Sequence, residues 1–274
     1  MRYLVEVHAR PLRRSCDCVG LSRSAWYAPP PDWTVRDAEI IAALARLVEA
    51  KPSRGIGKCC QILERSHPHW NHKRIYRVYC AMKLNLRRAA SRRLPKRERV
   101  PLYVPECPDR VWSADFMLDA LACGRSFRAF NLLDDFNRGA IHIEVDTSIT
   151  SARLVRIFER IAQERPLPQV LRTDNGPEFL GEAFVSWAKA HGMAIQYIQP
   201  GKPNQNAYIE RFNRTYREEV LDQYLFARLE DVREATWQFL IDYNEHRPHN
   251  ALGGMTPAEY RNHHARISTS EVSA

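Results

Sequence analysis

Apolar positions recur at helical spacing through the first third of the chain, then give way to alternating runs. Ile40, Ile41, Leu44, Leu47 and Val48 form the stripe of an amphipathic helix over 34–50. Upstream, 12–19 reads as a short helix stopping at Gly20, and Ser22 is placed to cap a second one over 23–27. That pair has a helix-turn-helix rhythm, ended by Pro29-Pro30-Pro31. After Gly55-Ile56-Gly57 a helix is predicted over 58–66, with His67-Pro68-His69-Trp70 as the turn. Asn71 then caps another helix reaching about residue 83. Its polar side carries Lys73, Arg74 and Arg77; its apolar side carries Ile75, Val78, Tyr79 and Met82.

Apolar content nearly vanishes over 87–99, a basic stretch that builds no core but suits a phosphate backbone. From residue 108 strands alternate with helices. Strands are predicted over 110–118, 126–133, 140–145, 169–173 and 194–198, and helices over 151–164, 181–191, 206–222 and 229–245. The turn Asp135-Phe136-Asn137-Arg138-Gly139 joins the second and third strands, so the sheet starts antiparallel. Three strands followed by strand–helix alternation specify an α/β layer fold with a mixed sheet. The expected organisation is a helical DNA-binding region over 1–90, a basic linker over 91–107, a core over 108–262 and a tail over 263–274.

Composition narrows the class. The 274 residues are 45% hydrophobic and 27% charged, within the globular range. No apolar run is long enough for a membrane span, and the Arg-rich start lacks the apolar segment of a secretory signal. Seven cysteines without framework spacing fit a reducing cytosol. The net charge of +9 is lopsided: residues 1–100 hold 22 Lys and Arg against 8 Asp and Glu, whereas the remainder holds 19 against 24. A basic front suits a polyphosphate partner or a solvated surface. Acids behind it repel DNA unless they hold cations.

Three acids are poorly explained by a surface role. Asp115 interrupts the strand Val111-Trp112-Ser113-Ala114-Asp115-Phe116-Met117. Asp174 closes Val170-Leu171-Arg172-Thr173 before the turn Asn175-Gly176-Pro177, and strand ends of this kind face the ligand crevice of open α/β sheets. Glu210 lies on a helix beside the stripe Tyr208, Phe212 and Tyr216.

The 35 residues between Asp174 and Glu210, with Arg217 seven beyond, resemble the DDE pattern of retroviral-type integrases and insertion-sequence transposases. Matching blocks are Leu133-Asp134-Asp135-Phe136-Asn137-Arg138, Thr173-Asp174-Asn175-Gly176-Pro177-Glu178-Phe179 and Tyr243-Asn244-Glu245-His246-Arg247-Pro248-His249. A longer one runs Pro200-Gly201-Lys202-Pro203-Asn204-Gln205-Asn206-Ala207-Tyr208-Ile209-Glu210-Arg211-Phe212-Asn213. Over about residues 108–262 the chain is similar to the second-frame product of the IS-three group of insertion sequences. The stretch 71–88 resembles the helix-turn-helix region preceding this core, with Lys73, Arg74 and Arg77 as DNA contacts. Upstream, Ser53-Arg54-Gly55-Ile56-Gly57-Lys58 departs from the aromatic motif usual there.

The resemblance implies a ribonuclease-H-like five-stranded sheet behind an all-α region, and a transposase acting on double-stranded DNA. Asp115, Asp174 and Glu210 would be its catalytic ligands for two Mg2+ or Mn2+ ions, which activate an attacking oxygen and stabilise a leaving one. Arg217 lies about 10.5 Å along the helix from Glu210 on the same face. It is read as a donor-DNA contact or else as an exposed helix arginine. Asn213, Arg214 and Lys202 are further DNA contacts, the last in a loop over 201–205 that orders on DNA, with Asn206 as a helix cap. Homo-oligomers on DNA, a first-frame DNA-binding partner and a bacterial cytoplasmic, nucleoid-associated location follow from the same likeness.

Other constellations are weaker. Asp134 and Asp135 sit beside a tight turn and read as structural; Glu178 stands close to Asp174 as a possible outer ligand. Cys59, Cys60, His67, His69, His72 and Cys80 raise zinc, but their order matches neither an integrase zinc domain nor a standard finger. His246 and His249 suit a helix end. A tyrosine recombinase could use the His-x-x-Arg of His263-His264-Ala265-Arg266, yet no suitable tyrosine follows. The alternative outside enzymes is a catalytically silent DNA-binding regulator of transposition using the helical front.

Overall fold

A computed structural model describes residues 2–28, 32–85, 104–199 and 206–272, with side chains from 3 to 265. The basic stretch 87–99 and Lys202 lie outside the described residues.

The front is helical, as its periodicity predicts: α1 (Arg2–Glu6), α2 (Leu12–Val19), α3 (Arg23–Tyr27), α4 (Trp33–Arg36), α5 (Ala38–Ala50), α6 (Ile56–Ser66) and α7 (His72–Ala81). Two expected caps form. Ser22 Oγ accepts from the Ala25 N–H at 3.1 Å, and Asn71 Oδ1 accepts from the Lys73 N–H at 2.9 Å. Ile40, Leu44, Cys59, Leu63, Trp70, Ile75, Val78 and Tyr79 make a core shared by α5, α6, α7 and the turn before α7.

The helix expected over 34–50 is split at Asp37, whose side chain is wholly buried. Arg74 Nε donates to Asp37 Oδ1 at 2.7 Å and Arg77 Nη2 to Oδ2 at 2.5 Å. Arg74 and Arg77, expected on the DNA-reading side of α7, are therefore engaged in holding α5; a buried carboxylate needs these partners more than the solvent does. Burial alone would raise the Asp37 carboxyl, but the hydrogen bond of Arg74 and the charges of Arg74 and Arg36 hold it below its usual range. Its stabilising contribution is therefore present above the ordinary carboxylate pKa and lost as pH falls through the folded value. Asp37→Asn is expected to cost about 1–2 kcal/mol at neutral pH, modest because both arginines are part-exposed. Hydrogen exchange in α5 and α7 should quicken, and the difference from wild type should close in acid.

The core sheet contains β1 (Val111–Ala120), β2 (Ser126–Asp134), β3 (Ala140–Asp146), β4 (Val170–Thr173) and β5 (Ala194–Tyr197), in the order β3-β2-β1-β4-β5. The first three strands pair antiparallel; β4 joins β1, and β5 joins β4, in parallel. This is the mixed five-stranded sheet that the strand pattern predicts. Alternation along β1 sorts the two layers. Trp112, Ala114 and Phe116 face α8 (Ser151–Glu164), α9 (Pro177–Leu180) and α10 (Glu182–Ala190), where Phe158, Phe179 and Phe184 fill the layer. Met117 faces the other way, onto Ile209 and Phe212 of α11 (Ala207–Tyr216) and Phe239 of α12 (Leu229–Ile241).

Sequence periodicity missed the irregular places. The helix expected over 181–191 is α10, but the short α9 before it, where a turn was expected, was not foreseen, and the two are divided at Gly181. A Cβ there would stand 2.5 Å from Ser151 at the start of α8, so only glycine lets the layers approach. The helices expected over 206–222 and 229–245 both finish in π-helical turns, Arg217–Leu221 and Asp242–His246. The last helix, α13 (Pro257–Val272), runs on through residue 262, where the tail was expected to begin.

The two π turns form the landing for the helical front. Lys51 Nζ bonds Asp242 Oδ2 at 2.5 Å, with Arg54 3.2 Å from the same carboxylate. Lys51 also lies 3.6 Å from Glu219, whose carboxylate pairs with Arg247 at 2.9 Å. Among the described residues, no helix is long and apolar enough to cross a membrane.

Candidate active site

Asp115 projects from the middle of β1 on the α11 side, opposite Asn131 of β2. Its Oδ1 accepts from the Phe116 N–H at 2.9 Å, and its Oδ2 accepts from Asn213 Nδ2 at 2.7 Å. Asn213 is fixed in turn, because Asn131 Nδ2 donates to its Oδ1 at 2.7 Å. Asp174 follows the end of the neighbouring parallel strand β4, two positions beyond the Ser113–Arg172 pair in the register, and accepts from the Gly176 N–H at 3.1 Å. A Cβ on Gly176 would crowd Asp174 Oδ1 at 3.0 Å and Glu178 Oε2 at 3.1 Å. Glu210 sits exposed in the first turn of α11, on the stripe it shares with Arg211 and Arg214.

The three acids feel one another. Burial pushes the Asp115 carboxyl up to about 6, and the charges of Asp174 and Glu210 add to that, against the hydrogen bonds from Phe116 N–H and Asn213. Among the described residues they do not already stand as a group of three gathered to grip a metal. The donor set is nevertheless all oxygen, with like charges adjoining a desolvated carboxylate. That is an environment a hard divalent cation relieves.

α11 is tied to β1 at three levels. Asn206, expected to cap the helix, makes no cap bond; its buried amide donates to the Ala114 carbonyl at 3.4 Å. Asn213, expected to touch DNA, is buried and spends its amide on Asp115. Arg217 pairs with Asp119 at 3.0 Å and donates to the Leu118 carbonyl at 3.1 Å. Hence the face of α11 that sequence spacing assigns to DNA partly belongs to the sheet. Arg214 and, on α7, Lys73 stay exposed. Asn131 was overlooked in the sequence, although a polar residue within Phe130-Asn131-Leu132-Leu133 is itself a signal.

The decoys find structural partners. Asp135 accepts from Ser113 Oγ at 2.6 Å and pairs with buried Arg172 at 2.7 Å, while Asp134 accepts the N–H groups of Asp109 and Phe136. Glu178 binds Arg128, whose guanidinium lies 4.2 Å from the Phe116 ring centroid. His249 packs edge-on against Tyr243, and burial drives its pKa down to about 3. Cys59 is buried in the helical core, and His67 lies against Trp70 with ring centroids 3.9 Å apart.

Two families, each described as an integrase core domain, match residues 105–203 and 191–257. The insertion element IS407 uncharacterized 31.7 kDa protein of Burkholderia multivorans is 42% identical over 256 residues, covering 92% of this chain and 91% of its own. The insertion element IS476 uncharacterized 39.2 kDa protein of Xanthomonas euvesicatoria is 38% identical, covering 90% and 71%. A chain of the simian T-cell lymphotropic virus intasome in complex with PP2A regulatory subunit B56 gamma aligns at a TM-score of 0.50 and 14% identity, over 72% of this chain and 68% of its own; it shares the fold. With its ribonuclease-H-like sheet and helical front, the chain belongs to the insertion-element transposases of the IS-three kind that carry an integrase core domain.

Proposed function

We propose that the chain cleaves DNA at the ends of its insertion sequence and joins the freed 3′-OH to target DNA, with Asp115, Asp174 and Glu210 as catalytic ligands of two Mg2+ or Mn2+ ions. The observation that carries this reading is the placement of the three acids: Asp115 in mid-β1 held by Asn213 of α11, Asp174 just past the end of the neighbouring strand β4, and Glu210 in the first turn of α11. Bound cations supply charge neutralisation for an in-line displacement at phosphorus. The chain's own residues fix the geometry: Phe116 N–H and Asn213 orient Asp115, Gly176 N–H orients Asp174, and α11 carries Glu210 along the crevice at the strand ends. Water attacks first, then the 3′-OH, so no protein–DNA covalent bond is needed.

Arg214 and Lys73, exposed on α11 and α7, contact the DNA backbone, together with Lys202. Arg217 joins them on exchanging Asp119 for a phosphate. The acting form is a homo-oligomer on double-stranded DNA, assisted by a first-frame DNA-binding product, in the bacterial cytoplasm at the nucleoid. The test is a labelled duplex carrying the element's own ends, incubated with Mn2+ and then with chelator. Cleaved and joined products are expected only while the cation is present. Chelator-resistant cleavage with a trapped protein–DNA adduct would replace this reading with a tyrosine recombinase.

A further inference from the structure

We propose that the cavity between α1 and α2 is an anion site, in which Arg10, Arg14 and the Ser15 hydroxyl hold one phosphate of the DNA backbone. The inference rests on the strand-transfer reading and adds a contact in the helical front that α7 does not supply. The chain reverses between the two helices, and the Arg10 N–H donates back to the Leu4 carbonyl of α1 at 3.1 Å. Leu4, Arg10, Arg14, Ser15 and Cys18 line a space of about 300 Å³. That is roughly ten times the liquid share of one water molecule, ample for a phosphate. Arg14, Ser15 and Cys18 reach it from one face of α2, since Cys18 stands four residues beyond Arg14 and three beyond Ser15.

The groups around this cavity are without partners. Ser15 is only 2% exposed, yet its Oγ has no hydrogen-bond partner. A stranded buried hydroxyl costs stability, and a ligand oxygen that accepts from it offsets the cost. Arg10 and Arg14 are exposed, and among the described residues neither makes an ion pair or a side-chain hydrogen bond. Glu6 and Asp17, the acids of α1 and α2, do not line the cavity. The start of α2 adds charge of the same sign. No side chain caps it, no acid stands in its first turn, and the N–H groups ahead of Ser15 open the helix unpaired. Over residues 2–28 five arginines face two acids, so the surroundings attract a polyanion as well. A DNA backbone and free phosphate share this chemistry, and it is DNA that the strand-transfer reading brings to the chain. A backbone contact of this kind sets the position of a protein on a duplex without reading its bases. It also gives a role to α2 and α3, whose helix-turn-helix rhythm has no other assignment.

The test measures binding of the full chain to a labelled end duplex by fluorescence anisotropy across a salt series, with chelator present so that no chemistry occurs. The double variant Arg10→Gln, Arg14→Gln is expected to flatten the slope of log affinity against log salt by roughly 0.9, the increment for one phosphate contact. Ser15→Ala should weaken binding by roughly tenfold at every salt, because it removes a neutral donor to a charged group. The same variant should melt at a higher temperature than wild type, because the stranded hydroxyl is gone. Weaker binding together with a more stable fold is a pair of results that a structural serine does not give. A third readout is alkylation by iodoacetamide, followed by peptide mass: the duplex should slow reaction at Cys18 and leave the equally exposed Cys123 unchanged. A wild-type slope in the double variant, or Ser15→Ala that binds as wild type or melts lower, overturns the site. Protection of Cys18 by inorganic phosphate but not by the duplex reassigns the cavity to free phosphate and overturns the DNA contact. Should the double variant fail to fold, Ser15→Ala decides alone. Wild type that binds no DNA at any salt overturns the strand-transfer reading and this contact with it. Tight wild-type binding beside unaltered variants overturns only this contact.

Discussion

Glu210→Gln is expected to lower Mn2+-dependent strand transfer by roughly 10³-fold or more, a barrier increase of about 4 kcal/mol. Binding of end DNA should stay within about twofold of wild type, because the amide removes one charge from a surface dominated by cations. The substitution is nearly isosteric and Glu210 is exposed, so the fold has no reason to change. What is lost is the carboxylate, which a neutral amide replaces poorly as a ligand of a hard cation. Single-turnover joining of labelled ends, measured beside anisotropy in chelator, separates the two effects. A variant that joins DNA at the wild-type rate would remove Glu210 from the chemistry and leave only the DNA-binding reading of the chain.

Asn213→Ala is expected to reduce joining by roughly 10–100-fold at neutral pH, the usual loss when a group orienting a metal-binding side chain is removed. The effect should depend on pH in a defined sense. Asn213 donates to the ionised form of Asp115, so deleting it raises further a carboxyl already near 6. The acid limb of the rate profile then moves to higher pH. The deficit should be larger at the acidic end of the assay range and shrink in mild alkali. The variant also strands the Asn131 amide, which costs about 1–3 kcal/mol of stability. A loss of equal size at every pH would mean that Asn213 matters only for packing.

Regular segments were legible in the chain because one periodicity dominated each of them. The five strands match their expected spans to within two residues, since every one is an apolar or alternating run bounded by turn residues. Asp115 and Asp174 stand out because charge is anomalous inside or just after such runs. Asn213 was misjudged for the opposite reason. It shares a helix with polar neighbours, so nothing in its spacing shows that its amide turns inward to the sheet. The break at Asp37 depends on Arg74 and Arg77, about forty positions away, and a local window does not contain them. The π turns carry no composition of their own; their residues Arg217, Glu219 and Asp242 pair with β1 and the helical front, partners that a local window does not contain.

The docking of Lys51 and Arg54, between α5 and α6, on these two turns has a consequence for shuffling among mobile elements. The turn holding Glu219 continues directly from the helix of Glu210; Glu219 is matched by Lys51, and Asp242 of the second turn by Lys51 and Arg54. A hybrid that borrows its first eighty residues from a distant relative would bring mismatched counter-ions to that joint and loosen the rod bearing the third carboxylate. Inheritance of the helical front and inheritance of the proposed site are thus coupled: the two halves must be exchanged as a set.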